Sequence, residues 1–379
     1  MVDKKNQSDS HERKKVTVAL QGGGAYGAFT WGVLDRLLQD ERIEIVGISG
    51  VSAGSMNAVA LAHGLDKGGN KGARETLAKL WHALSFEDFW AKLPGGTLTA
   101  EFARQVKKWD MTGLSDQYTL ERHAKLLEQM GVSVNDEYMN LYCRKRLQEK
   151  LLSVIDFGSL QKNQKGVPVS VGATNIKTHA HKTFHRHEMD INKVLASCSL
   201  PGFFKPMKID DEEYWDGAMS ANPSLRPLKD TEGSDILVIQ TTPILTAADR
   251  NLKNQSPDQR TKLIGHFLTA ITRHEIENIA LDNERVHKFP KAAAEMGIRE
   301  FRAHLIQEDK MPAHDRLGYL NFDWGNLQKL HDLGFKAADK WLKENFDKIG
   351  HESTADLLVD FERYKCEVHK KPHAKSKKR

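Results

Sequence analysis

The chain has few cysteines and no long apolar run. Its 379 residues include three cysteines, Cys143, Cys198 and Cys366. Their odd number and wide spacing argue against a disulfide framework and suit a reducing compartment. No stretch approaches the roughly 20 apolar residues that a membrane-spanning helix needs. Together with 28% charged residues, these absences predict a soluble globular protein.

A secretory leader and a strong charge imbalance are missing as well. Residues 1–15 are polar and charged with no apolar centre, so no secretory signal is visible. The net charge of +5 does not indicate nucleic-acid binding. We therefore expect a cytoplasmic protein without a nucleic-acid partner, of unknown oligomeric state. The basic run 370–379 is either a solvated end or a peripheral membrane contact, with about 1 kcal/mol of attraction to anionic lipid per basic residue.

Ser52 stands in Gly50-Val51-Ser52-Ala53-Gly54, between a strand pattern at 43–48 and a helix pattern at 55–62. A strand, a tight turn and a helix form the context that a nucleophile elbow needs. The turn exposes the serine hydroxyl in a strained conformation, and backbone passes so close that Gly50 and Gly54 can carry no side chain. The pattern predicts a catalytic serine.

A glycine-rich loop precedes this serine. The strand pattern at 16–20 ends in Gln21-Gly22-Gly23-Gly24-Ala25-Tyr26-Gly27, and an amphipathic helix pattern follows at 29–38. Backbone N–H groups in such a loop favour developing negative charge, so beside Ser52 the loop would form an oxyanion hole. The glycines also fit a dinucleotide fingerprint. That reading lacks its ribose-binding acid, because Glu44 stands at the wrong end of the second strand.

The base that would activate Ser52 is not marked as a histidine. An α/β-hydrolase also uses G-x-S-x-G, but several strands precede its elbow and its histidine follows the acid. Only two strand patterns precede Ser52. None of the downstream histidines lies in a loop signature typical of a base; they include His266, His274, His287, His304 and His314. The sequence points to a base of another type.

A candidate carboxylate lies much later in the chain. Two short apolar runs flank the acidic turn 210–213 and predict a hairpin. Asp216 lies at the exit of this hairpin, Gly217 permits a sharp bend, and Asn222-Pro223 closes the loop. An isolated Asp-Gly pair is more often a simple turn, so the hairpin alone does not assign a role to Asp216.

The order of these motifs resembles the patatin-like phospholipases. The resemblance covers about residues 16–229 and joins the glycine loop, the serine elbow, the segment from Ala196-Ser197 through Pro201, and Asp216-Gly217-Ala218. It implies a Ser52–Asp216 dyad, an oxyanion hole and hydrolysis of lipid acyl esters with no cofactor and no metal. The implied oxyanion-hole residues are Gly22, Gly23, Gly24 and Ala53, and the further motif residues are Gly27, Gly50, Gly54, Gly217 and Ala218. One departure is Tyr26, where the family's loop often carries Arg or Lys.

The chemistry of a dyad makes demands of its own. The carboxylate must itself accept the serine proton, so it must lie within hydrogen-bond reach of the hydroxyl. A carboxylate with a reference pKa of about 3.9 is a weak base at neutral pH, and burial strengthens it by disfavouring the charged form. Tyr214, Trp215 and Phe203 are the apolar neighbours that we expect around Asp216. The acyl-enzyme on Ser52 would then be cleaved by water that Asp216 activates.

Three rival functions stay open at this point. A non-hydrolytic lipid-binding scaffold could keep the fold, although the set of reactive residues is complete. A nucleotide-binding oxidoreductase is disfavoured by the missing ribose acid. A polyester or storage-lipid esterase would use the same mechanism, and nothing in the chain distinguishes its substrate from a phospholipid.

For the fold we expect a three-layer α/β/α sandwich around a mostly parallel sheet. Residues 1–15 are expected to be disordered, 16–229 to form the catalytic domain, 230–365 to add strands and helices packed on it, and 366–379 to form a disordered tail. Further strand patterns cover 167–174, 236–241 and 298–306, and helix patterns cover 72–152, 259–287 and 324–364.

Two smaller features have ordinary interpretations. His179, His181, His185 and His187 alternate in an extended pattern that could present pairs to a metal, but no further ligand completes a site, and an exposed hairpin is the better interpretation. Cys198 is interpreted as a small buried side chain rather than a nucleophile.

Overall fold

The computed structural model describes residues 13–85, 136–201, 204–241, 259–308 and 321–355. The strands are β1 (Lys14–Leu20), β2 (Ile43–Val51), β3 (Val169–Asn175), β4 (His181–His185), β5 (Met207–Ile209), β6 (Glu212–Asp216), β7 (Asp235–Ile239) and β8 (Arg302–Ile306). The α-helices are α1 (Gly27–Leu38), α2 (Ala53–Leu84), α3 (Asp136–Val154), α4 (Phe157–Lys162), α5 (Ile191–Ser197), α6 (Gln259–Lys288), α7 (Pro290–Glu295) and α8 (Trp324–Asn345).

All of these strands belong to one mixed sheet. Its order is β5-β6-β3-β2-β1-β7-β8, and β4 pairs with β3 outside this path. The centre is parallel: β3 pairs with β2, β2 with β1, β1 with β7, and β7 with β8. The shorter strands β4, β5 and β6 are antiparallel to their partners. The predicted α/β fold is confirmed, with its antiparallel strands gathered at the β3 side of the sheet.

Helices cover both faces of the sheet, which produces the three layers. Side chains alternate along β7, because successive residues of a strand point to opposite faces. Leu237 and Ile239 join the large core that α1, α2 and α8 complete. Ile236 and Val238 join a second core with residues of α6 and of the segment after Asn222. The glycine loop and the serine elbow follow the ends of β1 and β2, two central strands of the sheet that separates these cores.

The sequence patterns and the observed elements agree closely up to residue 62 and at the hairpin before Asp216. The expected hairpin around 210–213 is present as β5 and β6, and the expected strands and helices up to 62 are found. β1 begins at Lys14, inside the N-terminal segment expected to be disordered.

Agreement is less complete further along the chain. The helix pattern at 324–364 corresponds to α8, which ends at Asn345, and no helix follows it through residue 355 except one short 3-10 turn. The predicted basic tail and the part of the 72–152 helix pattern that spans 86–135 lie outside the described residues.

Candidate active site

Ser52 forms the turn between β2 and α2. Its backbone has φ 53° and ψ −127°, a left-handed conformation that a residue with a side chain rarely adopts. A Cβ on Gly50 would lie 2.2 Å from the Gly54 carbonyl oxygen, and a Cβ on Gly54 would lie 2.1 Å from the Leu20 carbonyl oxygen. Side chains at these two positions would push β1, β2 and α2 apart. The strand–turn–helix context predicted for the serine is confirmed.

Hydrogen bonds from neighbouring side chains hold the elbow in place. The Ser52 N–H donates to Ser197 Oγ at 2.9 Å, and the Ser55 hydroxyl donates to the Ser52 carbonyl at 2.6 Å. Cys198 Sγ also lies 3.4 Å from that carbonyl, and burial raises the pKa of the Cys198 thiol. Cys198 is buried and stays protonated, as its interpretation as a core side chain requires.

Asp216 reaches Ser52 through the topology of the sheet. Ala173 of β3 pairs with Asp216 on one edge and with Lys182 of β4 on the other, while the preceding Gly172 pairs with Val51 and with Thr183. β2 and β6 therefore occupy the same edge of β3 from opposite directions, and their ends meet there. The residue after the end of β2 is Ser52, and the last residue of β6 is Asp216.

The Asp216 carboxyl group is buried, with 1% of the residue exposed. Burial raises its pKa to about 7, although hydrogen bonds from the Ala218 N–H and from the Ser52 hydroxyl work in the opposite direction. The Ala218 N–H donates to Asp216 Oδ1 at 2.8 Å, and the Asp216 N–H donates to the Ser199 carbonyl at 2.9 Å. A carboxylate with this pKa is a much stronger base near neutral pH than an exposed one.

The aromatic neighbours expected for Asp216 have different positions. Tyr214 is buried and shares a strand face with Asp216, whereas Trp215 is half-buried and points to the other face. Phe203 lies outside the described residues. Tyr26, the departure from the usual basic residue of the glycine loop, is also buried.

Within the described part of the chain, no histidine hydrogen-bonds to Ser52 or to the Asp216 carboxyl group. The histidine connected to Asp216 is His181, whose Nδ1 lies 2.8 Å from Ser220 Oγ. Ser220 Oγ lies 2.8 Å from Thr174 Oγ1, and the Thr174 hydroxyl donates to the Asp216 carbonyl. This series of hydrogen bonds ends on the main-chain carbonyl of Asp216. It therefore carries no proton to the Asp216 carboxylate. Burial also lowers the pKa of His181 to about 4, so its ring is neutral at pH 7.

The glycine loop lies directly against the serine. A Cβ on Gly22 would be 2.7 Å from Ser52 Cβ. The described residues provide no acceptor for the N–H groups of Gly23 and Gly24, and the N–H of Ala53 is the first of α2 and has no acceptor within the helix. Gly22 differs, since its N–H donates to Asn222 Oδ1 at 2.7 Å.

The described residues contain no group of three or more His, Cys, Asp or Glu side chains that could hold a metal ion. His181 and His185 lie on β4, which pairs with β3 as a hairpin, and the rings of His185 and His187 stack with centroids 6.1 Å apart. None of the described helices combines the length and the apolar composition that a membrane-spanning segment requires.

Comparison with known families agrees with this architecture. The family model of the patatin-like phospholipases matches residues 18–229, more than half of the chain. The chain belongs to the patatin-like phospholipase family. Its membership of this family makes it a lipid acyl hydrolase. No curated protein sequence matches it significantly.

Solved structures that are similar to this patatin-like chain include the following two. One is VipD from Legionella pneumophila, with 16% sequence identity, a TM-score of 0.39, and coverage of 88% of this chain and 67% of VipD. The other is the heterodimeric ExoU–SpcU complex from the type III secretion system of Pseudomonas aeruginosa, with 14% identity, a TM-score of 0.29, and coverage of 94% of this chain and 64% of the matched chain. The chain spans about two thirds of the length of these proteins.

Several residues around the patatin-like site were given no contact with the glycine loop or the serine from the sequence. Ser197 binds the Ser52 N–H, Asn222 binds the Gly22 N–H, and Thr241 and Thr272 belong to strand-end and helix segments beyond the family match. The position of Gln21 and Thr241 in the sequence was the signal that could have found them. They follow the carboxyl ends of β1 and β7, and ligands bind at that edge of a parallel sheet.

Proposed function

We propose that this protein hydrolyses acyl esters of phospholipids through an acyl-enzyme on Ser52, with Asp216 as the only side-chain base. The observation that carries the proposal is the position of the buried Asp216 carboxyl group, on the strand whose end meets the end of β2 beside Ser52, together with its pKa, which burial raises to about 7. A group with this pKa is deprotonated in about half of the molecules at neutral pH and can accept the serine proton as the oxygen attacks.

The negative charge of the tetrahedral intermediate needs donors beside Ser52. The N–H groups of Gly23, Gly24 and Ala53 have no acceptor among the described residues and are the donors that we propose. Ala53 begins α2, a long helix, so the positive end of its dipole adds to the stabilisation. Gly22 contributes through its position rather than its N–H, which Asn222 already accepts.

Both halves of the reaction use the same carboxyl group. In acylation, Ser52 oxygen forms a bond to the ester carbonyl carbon, its proton moves to Asp216, and the proton is then passed to the leaving alcohol as the ester bond breaks. In deacylation, Asp216 takes a proton from water while the water oxygen attacks the acyl-enzyme. Asp216 then passes this proton to the Ser52 oxygen as its bond to the acyl carbon breaks, and the fatty acid leaves. No other titratable group is needed.

A lipid substrate is supported by the apolar side chains near the dyad. Leu200 and Met219 are 38% and 40% exposed although both are large and apolar. Leu200 follows Ser199, whose carbonyl accepts the Asp216 N–H, and Met219 lies three residues after Asp216. We infer that these side chains provide apolar surface for an acyl chain close in sequence to the proposed dyad.

Mass spectrometry of a phospholipid extract tests the proposal. We expect free fatty acids and lysophospholipids to accumulate with the wild-type protein and not with Ser52→Ala. Ser153→Ala, which removes an exposed hydroxyl from α3, is the matched control and should behave as the wild type. Equal release by Ser52→Ala, or no release by the wild type from any phospholipid class, would contradict the proposal.

A further inference from the structure

A buried polar network joins the glycine loop to parts of the chain beyond the family match. Its members are Gln21, Asn222, Thr241 and Thr272, which we call the loop clamp. Each of the four residues has 0% exposure. Thr241 follows β7 and Thr272 lies in α6, whereas the family match ends at residue 229. The clamp therefore connects the part of the chain without catalytic motifs to the proposed oxyanion hole.

The clamp holds both polar backbone groups of Gly22. The Gly22 N–H donates to Asn222 Oδ1 at 2.7 Å, and the Thr241 hydroxyl donates to the Gly22 carbonyl at 2.7 Å. Gln21 secures Thr241, because the Thr241 N–H donates to Gln21 Oε1 at 2.8 Å. With both of its peptide groups fixed, Gly22 sets the direction in which the following N–H groups of the loop point.

Thr272 hydrogen-bonds to two other residues of the clamp. Its hydroxyl donates to the Asn222 carbonyl at 2.5 Å and accepts from Gln21 Nε2 at 3.2 Å. One turn along the same face of α6, Glu275 accepts the Leu225 N–H at 2.7 Å. The helix thus fixes the segment that carries Asn222, and Asn222 in turn fixes the glycine loop.

Such a network makes strict demands on its members. Buried polar groups cost free energy unless each finds a partner, and apolar side chains of similar size would pack the same space without that demand. Asn222 Nδ2 is buried and has no partner among the residues that the structure describes, so within this part of the chain one polar group of the clamp is unsatisfied. What the polar groups achieve that apolar ones cannot is a defined orientation of the Gly22 peptide groups.

We propose that Thr272 is a positioning residue for the oxyanion hole and acts through Asn222 and Gly22. This inference rests on the proposed function, since it assigns a task within the same site. It gives the region after residue 229 a part in catalysis: α6 keeps the N–H groups of Gly23 and Gly24 aimed at the ester carbonyl. Thr272 itself touches neither substrate nor the reacting atoms.

The test compares Thr272→Val with Thr272→Ser. Valine keeps the shape but removes the hydroxyl, whereas serine keeps the hydroxyl. Thr17→Val is the matched control, because Thr17 is equally buried and its hydroxyl donates to the Asp235 carbonyl at the far end of β7. The turnover rate of a p-nitrophenyl ester is divided by the concentration of competent active sites. Endpoint labelling of Ser52 with a fluorophosphonate measures that concentration. Partial unfolding of a variant therefore does not appear as a loss of kcat.

We expect Thr272→Val to lower kcat per labelled site about 10- to 100-fold with little change in KM, because a small displacement of oxyanion donors acts on the transition state. Binding of a trifluoromethyl ketone, whose adduct with Ser52 carries an oxyanion, should weaken by the same factor. Thr272→Ser and Thr17→Val should keep the wild-type values. Unchanged kcat and ketone affinity in Thr272→Val would overturn the proposal.

Hydrogen exchange gives a readout that does not depend on catalysis. Amides of residues 21–26 should exchange faster in Thr272→Val than in the wild type or in Thr17→Val. If they exchange at the same rate, the clamp does not hold the loop and the inference is wrong. If the wild type hydrolyses no ester while exchange in Thr272→Val is faster, the proposed function fails and the hold of Thr272 on the loop is upheld.

Discussion

Ser52 and Asp216 lie beside each other because β2 and β6 end against each other on the same edge of β3. Val51 pairs with Gly172, and Asp216 pairs with the next residue, Ala173. The meeting point is thus fixed by strand register rather than by a loose loop. Strands of fixed register can hold the two side chains of the proposed dyad at a constant separation, which proton transfer requires.

The pH dependence of hydrolysis should report Asp216. Because the base works in its deprotonated form and its pKa is raised to about 7, kcat/KM should rise as the pH increases from 5 to 7 and then level off. Initial rates on a p-nitrophenyl ester between pH 5 and pH 9 measure this profile, with circular dichroism at each pH as a control for unfolding. A flat profile across this range would rule out Asp216 as the titrating base.

Asp216 should also lower the stability of the protein at high pH. Its pKa is about 7 when folded and near 3.8 when unfolded, so stability is greatest below the lower value and is lost as the pH rises through the higher one. Asp216→Asn should therefore be more stable than the wild type at pH 8, by up to about 4 kcal/mol, and similar to it at pH 4.

Urea unfolding at the two pH values checks this gain. Asp211→Asn, which removes an exposed charge from the turn between β5 and β6, should show no such gain. A lower stability of Asp216→Asn than of the wild type at pH 8 would contradict this prediction. It would mean that the surroundings stabilise the ionised carboxylate more than burial destabilises it.

The close approach at Gly54 predicts a large effect of a single methyl group. Gly54→Ala would place a Cβ 2.1 Å from the Leu20 carbonyl oxygen, so β1 and α2 must separate. We expect a loss of about 1–3 kcal/mol in the free energy of unfolding and loss of hydrolysis. Gly158→Ala in α4 is the control, because its Cβ would meet only Asp156 Oδ1 at 3.4 Å and alanine favours a helix. Equal stability of the two variants would contradict the geometry of the elbow.

Much of this architecture is readable from local patterns. The serine elbow follows from Gly50 and Gly54 around Ser52, and the hairpin before Asp216 follows from the acidic turn between two apolar runs. Both signals are local, because close backbone approach and turn chemistry act over a few residues. The order of the motifs then identified the family.

The parts that the sequence did not reveal depend on distant contacts. Asn222 was interpreted only as a loop-closing residue, yet its side chain accepts the Gly22 N–H from 200 positions away in sequence. Thr272 lies on α6, and the helix pattern of this segment predicts that one face is buried but not which residues that face contacts. His181 belongs to an alternating histidine run, but its connection to the Asp216 carbonyl runs through Ser220 and Thr174, which only the sheet register brings together.

The central claim is that Asp216 is the base for Ser52, and turnover of a p-nitrophenyl ester by Asp216→Asn tests it most directly. The asparagine keeps the size of the side chain and an acceptor for the Ala218 N–H, but it cannot take the serine proton. We predict a loss of about 10³-fold in kcat at pH 8 with the fold intact by circular dichroism. A kcat within tenfold of the wild type would contradict the dyad.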